Sequence, residues 1–289
     1  MTRQPRSIKR SLAALPLIRP TALRFLALVG DRDVRVRHAV TGDPLVLHLF
    51  RHRGYWFHGR TREARETRLA RQLLKEGRAI IDIGANVGFL SLVYRDLART
   101  SPVIAVEPSP ANLAYLTRNV SDRGVTILPF AVGEQPGTAT LFVDVLTGQN
   151  SSLLRDFRVL AANARRAAMS PDVEEHVVEV VTLGSIVKMA PAPVGFVKID
   201  VEGFEYEVLA GGEDVLASQR PNLQLEVQRR GGEILRLLET HRYRVFSSNT
   251  RAALEDAGHP IVVFAVPADD SNMETFHLAA VREGYYPIV

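Results

Sequence analysis

Residues 79–88 read Ala79-Ile80-Ile81-Asp82-Ile83-Gly84-Ala85-Asn86-Val87-Gly88, and the chain runs on as Phe89-Leu90-Ser91-Leu92-Val93-Tyr94. A short apolar run closing on an acid, a turn holding two glycines, and a helix-compatible stretch predict a buried strand, a tight turn and a helix start. Glycine suits that turn because a residue without a Cβ lets the backbone double back beside a ligand. In an α/β sheet, the carboxyl end of such a strand is the expected seat of a nucleoside.

The spacing says which nucleoside. A dinucleotide turn reads Gly-x-Gly-x-x-Gly and rests a pyrophosphate on the helix N-terminus. Here the order is Asp82-x-Gly84-x-Asn86-x-Gly88, with the acid first. An acid there repels a pyrophosphate and suits a cationic amine, such as that of S-adenosylmethionine. The next expected strand, Val103 to Val106, ends in Glu107, where a carboxylate can accept hydrogen bonds from both ribose hydroxyls. NAD enzymes share the ribose acid, so it is the pair of acids that favours S-adenosylmethionine. The structural alternative is that Asp82 merely caps its turn. An NAD-dependent oxidoreductase and an inactive nucleoside-binding module of the same fold are the competing functional readings.

Outward from this stretch, strands and helices alternate. Strands are expected at 79–83, 103–107, 125–131, 195–200, 222–228, 242–247 and 261–266, with helices at 88–98, 110–121, 204–218 and 232–240. That alternation predicts a doubly wound, mostly parallel sheet of seven strands. Residues 137–183 break it and are read as an insertion over the sheet's carboxyl edge. It comprises a strand at Thr138–Asp144, a polar loop at Gly148-Gln149-Asn150-Ser151-Ser152, a helix at 153–168 and a strand at 177–183. Before the sheet lie a basic arm (1–30), a hairpin within 34–57 turning at Thr41-Gly42-Asp43-Pro44, and a helix at 62–76. The division expected is 1–78 and 79–289.

The 289 residues carry a net charge of +4, which hides an asymmetry. Residues 1–78 hold 18 Lys/Arg against 6 Asp/Glu, and residues 79–289 hold 18 against 26. The basic part suits an anionic carrier, an anionic membrane surface or the acidic body of its own chain. Nucleic acid is not favoured, because no base-stacking aromatic motif accompanies the charge. The chain has no cysteine, which excludes disulfides, thiolate metal sites and cysteine nucleophiles. Pro16, Arg19, Pro20 and Arg24 interrupt the apolar stretch from Leu12 to Val29, so neither a spanning helix nor a signal core is expected. A cytoplasmic location, with the arm able to reach a membrane, is the expectation.

A second constellation reads Lys198-Ile199-Asp200-Val201-Glu202-Gly203-Phe204-Glu205. Asp200 and Glu202 sit at the mouth of the expected strand 195–200, and Glu226 at the mouth of its neighbour. The three acids can converge where the cofactor's reacting end would lie, stabilising positive charge or accepting a hydroxyl proton. Other readings stand beside this one. Glu202 can cap the following helix, Lys198 can pair structurally with Glu226, and the three acids can hold a divalent cation, although no metal is expected. Glu205 and Glu207 read as a solvated face, and His48, His52 and His58 as surface residues. His241, His259 and His277 are weak candidates for a general base. Base-amine methylation is disfavoured, because Asp200-Val201-Glu202-Gly203 stands where that chemistry needs an Asn/Asp-Pro-Pro-aromatic turn.

With these residues in hand, the chain resembles the FkbM-like family of S-adenosylmethionine-dependent methyltransferases. The matching pieces are Asp82 to Gly88, Val106-Glu107-Pro108-Ser109-Pro110, Phe130-Ala131-Val132-Gly133, Asn150-Ser151-Ser152-Leu153, Val181-Thr182-Leu183 with Ser185, and Lys198 to Gly203. They span about residues 62–230 in consistent order. The family usually has an acid where this chain has Gly184, and often a histidine where it has Gln228. The resemblance implies a class I, Rossmann-like methyltransferase fold. It implies methyl transfer to a hydroxyl of a sugar, glycan or secondary metabolite. The residues themselves give the expected cofactor site, Asp82, Gly84, Ala85, Asn86, Gly88, Glu107 and Pro108, with Asp200, Glu202 and Glu226 on the catalytic side.

Overall fold

A computed structural model describes residues 30–144, 151–155, 173–256 and 259–289, without the side chain of Arg60. The expected arm at 1–29, the Gly148-Gln149-Asn150 loop and most of the helix expected at 153–168 lie outside them.

The hairpin forms as the alternation predicts, with β1 (Asp33–Arg37) antiparallel to β2 (Pro44–His48). Two helices follow, α1 (Arg53–His58) and α2 (Ala64–Leu73). In α2, Leu69, Ala70 and Leu73 face inward at helical spacing. The decisive stretch then gives β3 (Ala79–Ile83), buried at all five positions, and α3 (Phe89–Leu97). A strand covered on both faces has no solvent side, so it reads as continuous apolar sequence. The alternation continues with β4 (Val103–Val106), α4 (Pro110–Val120) and β5 (Val125–Leu128). The Ser109 side chain caps α4 by accepting the Asn112 N–H.

The expected strand 125–131 is split. Pro129 cannot donate to a ladder, and beyond it β6 (Ala131–Val132) joins a different sheet. There β7 (Gly137–Asp144) and β8 (Val173–Val181) complete a three-stranded layer of order β6-β8-β7. The strand expected at 177–183 stops at Val181, because Thr182 Oγ1 accepts the Ser185 N–H at 3.1 Å and caps α5 (Leu183–Met189).

The chain returns to the main sheet through β9 (Val194–Ile199). The helix expected at 204–218 breaks into α6 (Glu205–Ala210) and α7 (Glu213–Ser218). The break lies at Gly211, where a Cβ would fall 2.2 Å from the Gly133 carbonyl oxygen. Then come β10 (Asn222–Val227), α8 (Gly231–Thr240), β11 (Tyr243–Ser247), α9 (Arg251–Asp256), β12 (Ile261–Pro267), α10 (Met273–Arg282) and β13 (Tyr286–Pro287).

The main sheet has order β13-β11-β12-β10-β9-β3-β4-β5. It has eight strands rather than seven, because Tyr286–Pro287 adds antiparallel to β11. Neighbours from β10 through β5 are parallel, and β12 runs antiparallel between β10 and β11. From β3 the chain winds outward to β4 and β5, then returns on the other side at β9. The order therefore reverses between β3 and β9, and a crevice opens at their carboxyl ends.

Residues before the sheet share its packing, since Leu45, Leu47, Tyr55, Leu69 and Leu73 belong to one apolar cluster with Ile80, Val93 and Phe196. Trp56, the chain's one tryptophan, is 36% exposed and donates its indole N–H to the Leu49 carbonyl. His52 is buried rather than on the surface. It accepts the His48 N–H at Nδ1, and burial followed by the nearby His48 and Arg51 lowers it to about 3.

Candidate active site

The crevice is built by backbone first. The Val106 carbonyl accepts the N–H groups of Gly84 and Ala85 at 2.9 and 3.0 Å, and the Ile83 carbonyl accepts that of Asp200 at 3.1 Å. These bonds draw the ends of β3, β4 and β9 together. Gly84 has φ +77°, and a Cβ there would stand 1.8 Å from the Asp200 carbonyl oxygen, so no other residue fits. Asn86 and Glu202 are also left-handed, at φ 52° and 54°. Non-glycine residues adopt that conformation rarely, and it clusters where a loop is shaped for a ligand.

Glu107 is buried and spends its carboxylate on loop geometry. Oε1 accepts the Ser109 N–H at 3.0 Å and the Asn112 side-chain amide at 3.2 Å, and Oε2 accepts the Asn86 N–H at 2.9 Å. Burial pushes this carboxyl up, and those three donors oppose the rise. Asp82, wholly buried, accepts the Ser91 hydroxyl at 2.6 Å. Its other oxygen lies 3.6 Å from Lys198 Nζ.

Lys198 does not pair with Glu226. It reaches Asp200 at 3.2 Å and donates to the Gly84 carbonyl at 3.2 Å. Burial alone would lower the ammonium, but Asp200, Asp82 and Glu63 hold it above the ordinary lysine value. Parallel register explains the choice. On β3 the partner of Lys198 is Asp82, whereas on β10 it is Gln224, two residues short of Glu226.

Asp200, Glu202 and Glu226 come together in one cleft, which Asp82, Gly84, Ala85, Asn86, Glu107 and Pro108 also line. Gly88 does not line it. A Cβ on Gly88 would strike Val120 and Leu116, so this glycine serves the packing of α3 on α4. Glu202 does not cap α6, because its Oε2 accepts the Gln228 side-chain amide at 2.6 Å. Glu205 fills that local role: buried rather than solvated, it takes the Gly203 N–H at 2.7 Å and the Gln228 N–H at 3.3 Å. Burial pushes it up to about 8. Glu207 pairs with Arg230 at 2.8 Å. Glu202 and Glu226 are both raised, Glu202 first by burial and Glu226 first by Asp200. Among the described residues no group of His, Cys, Asp and Glu is arranged to hold a metal ion.

Other lining residues were not foreseen as site members. Tyr55, Arg62 and Glu63 arrive from the segment before the sheet, and Leu141, Ser151 and Leu153 from the insertion. Ser152 ties the insertion to the acidic loop by donating its hydroxyl to the Glu202 carbonyl at 2.7 Å. Its place in the Asn150–Leu153 piece of the family resemblance is the available signal. Among the described residues the cleft carries six carboxylates (Glu63, Asp82, Glu107, Asp200, Glu202, Glu226) against two cations, Arg62 and Lys198. Asp82 Oδ1 and Asp200 Oδ1 are buried without a hydrogen-bond donor. Such a set can hold a cationic, hydroxyl-bearing nucleoside. The orphaned oxygens suit an ammonium, and Glu107 can accept ribose hydroxyls.

Known proteins resemble this one in the same region. Residues 82–245 match the methyltransferase FkbM domain. Over 152 residues the chain is 27% identical to Methyltransferase 1 of Beauveria bassiana (strain ARSEF 2860), covering 47% of this chain and 58% of that one. The chain thus spans a little over half the length of that curated relative. The crystal structure of methyltransferase FkbM from Methylobacillus flagellatus KT superposes with a TM-score of 0.44 at 16% identity, covering 67% of this chain and 45% of that chain. A precorrin-6y C5,15-methyltransferase from Geobacter metallireducens GS-15 superposes with a TM-score of 0.41 at 15% identity, covering 71% and 88%.

Proposed function

We propose that this chain, which belongs to the FkbM methyltransferase family, transfers a methyl group from S-adenosylmethionine to a hydroxyl of a sugar, glycan or related metabolite. The observation that carries the reading is the cleft at the β3/β9 reversal. There, a loop-fixed Glu107 and two buried, unfilled carboxylate oxygens stand beside a second group of acids. When bound, the cofactor supplies an electrophilic methyl group on a sulfonium. Asp82 and Asp200 receive the amine, Glu107 the ribose hydroxyls, and the turn of Gly84, Ala85 and Asn86 with Pro108 shapes the floor. Glu202, held by Gln228, would accept a hydrogen bond from the acceptor, and Glu226 would take the hydroxyl proton as the oxygen–methyl bond forms and the sulfur–methyl bond breaks, leaving S-adenosylhomocysteine. Alignment of hydroxyl and methyl supplies much of the acceleration. Six carboxylates disfavour an anionic acceptor atom at the methyl and favour a neutral polyol, whose hydroxyls donate to them.

The basic balance of residues 1–78 supports delivery of that acceptor on an anionic carrier or surface. No helix among the described residues is long and apolar enough to cross a membrane.

Calorimetry with S-adenosylhomocysteine tests the cofactor reading. Wild type is expected to bind and Gly84→Val not to; a wild type that does not bind, or a variant that binds equally well, overturns it. Mass spectrometry of hydroxylated acceptors tests the transfer, which should add one methyl group. Glu226→Gln should slow that product's appearance while leaving adenosylhomocysteine binding intact.

A further inference from the structure

The two cations of the cleft are not equivalent. Lys198 is committed to Asp200, Asp82 and the Gly84 carbonyl. Arg62 has a shelf and one ion-pair neighbour, Glu63, but no hydrogen-bond acceptor. Its guanidinium lies 4.1 Å over the Tyr55 ring and 6.0 Å from the Phe89 ring centre. Nε stands 3.3 Å from Glu63 Oε1, yet it is buried and makes no hydrogen bond. No other acceptor among the described residues takes a hydrogen bond from this guanidinium. A guanidinium carries five N–H donors in a rigid fork that matches a carboxylate in two parallel bonds. Leaving them unspent inside a cleft marks a place where an anion is due.

The shelf also locates that anion. Tyr55 donates its hydroxyl to Asn86 Oδ1 at 3.2 Å, which fixes the ring against the turn after β3. Phe89, whose ring packs 5.5 Å from that of Tyr55, opens α3 directly beyond that turn. Arg62 therefore stands over the end of the crevice where the amino-acid part of the cofactor is proposed to lie. That part carries one carboxylate, and among the described residues the cleft offers it more acids than cations. Without a cation it would bind at a penalty.

We propose that Arg62 is the receptor for the carboxylate of the cofactor's amino-acid end, and that Tyr55 is the positioning residue that aims it. The assignment rests on the cofactor reading above. Arg62 precedes the residues matched by the family domain, so that match does not assign it.

Two ligands that differ only at the amino-acid end test it. S-adenosylhomocysteine carries that end; 5′-methylthioadenosine keeps the nucleoside and thioether and lacks it. By calorimetry on the full chain, Arg62→Met should weaken adenosylhomocysteine roughly thirty-fold or more, as loss of a buried charge-assisted pair does. It should change methylthioadenosine less than about two-fold. Arg62→Lys, which keeps the charge and loses the fork, should fall between and guards against a Met variant that fails to fold. Equal weakening of both ligands overturns the assignment, because the residue is then structural. Unchanged adenosylhomocysteine binding also overturns it, while leaving the cofactor reading intact. A wild type that binds neither ligand overturns the cofactor reading, and this assignment with it.

Discussion

Asp82 and Lys198 are register partners on adjacent parallel strands, and their charged ends meet at 3.6 Å, both side chains buried at the floor of the cleft. Removing one partner of a buried pair strands the other, at a cost of about 3–5 kcal/mol. Lys198→Met should lower stability by that order in urea unfolding. The double variant Lys198→Met with Asp82→Asn should recover part of the loss, since Asp82 is then no longer stranded while Asp200, 3.2 Å from the same Nζ, still is. Additive losses would show that the two residues do not act as a pair.

Gly84 makes a sharper prediction. Alanine there meets a positive φ and a carbonyl oxygen 1.8 Å from its methyl. Gly84→Ala should cost about 4 kcal/mol, among the large single-residue effects. Gly137→Ala, at a site with open space around the Cβ, should cost under about 1 kcal/mol. Equal denaturation midpoints for the two variants would contradict the close approach of β3 to β9.

Asn119, on α4, ties the hairpin to the glycine turn. Its Oδ1 accepts the Val46 N–H at 2.7 Å, and its Nδ2 donates to the carbonyls of Val46 and Val87 at 3.1 and 2.8 Å. Asn119→Leu leaves those buried backbone groups without partners and should cost about 2–3 kcal/mol. Hydrogen exchange should show the loss first at Val46.

His52 sets an acid limit. It is held neutral in the fold at about 3, against an ordinary 6.5. A histidine with a depressed value stabilises the fold above the ordinary value and loses that contribution as pH falls towards the folded one. The folded state binds fewer protons in that window, so stability should fall by up to about 1.4 kcal/mol per pH unit below about pH 6.5. His52→Asn keeps an acceptor for the His48 N–H and cannot titrate. Its melting temperature should decline less than the wild type's between about pH 7 and pH 4.5. His38 is lowered in the same direction by burial and should leave part of the acid loss in place.

Which parts of this site were legible in the chain follows from the range of the interactions. Asp82 and Glu107 lie at the ends of apolar runs, so strand length and the following turn locate them without tertiary information. The partner of Lys198 is decided by register between β9 and its two neighbours. A sequence does not print register, and a shift of two residues exchanges one acid for another. Glu205 reads as helix surface, but Gly203 bends the chain so that its carboxylate turns inward to two N–H groups. Tyr55, Arg62 and Glu63 reach the cleft only because the hairpin packs on α4 and α2 on α10, and no local pattern announces that approach. The break between α6 and α7 interrupts a stretch, 204–218, that reads as one helix, because the nearby Gly133 backbone that imposes it is distant in sequence.

The single indole of this protein stands one residue from Tyr55, whose ring supports Arg62. All tryptophan emission therefore comes from one known point, an indole bonded to the Leu49 carbonyl just past the hairpin. Its colour and intensity offer a label-free optical gauge of the loosening of that hairpin in real time.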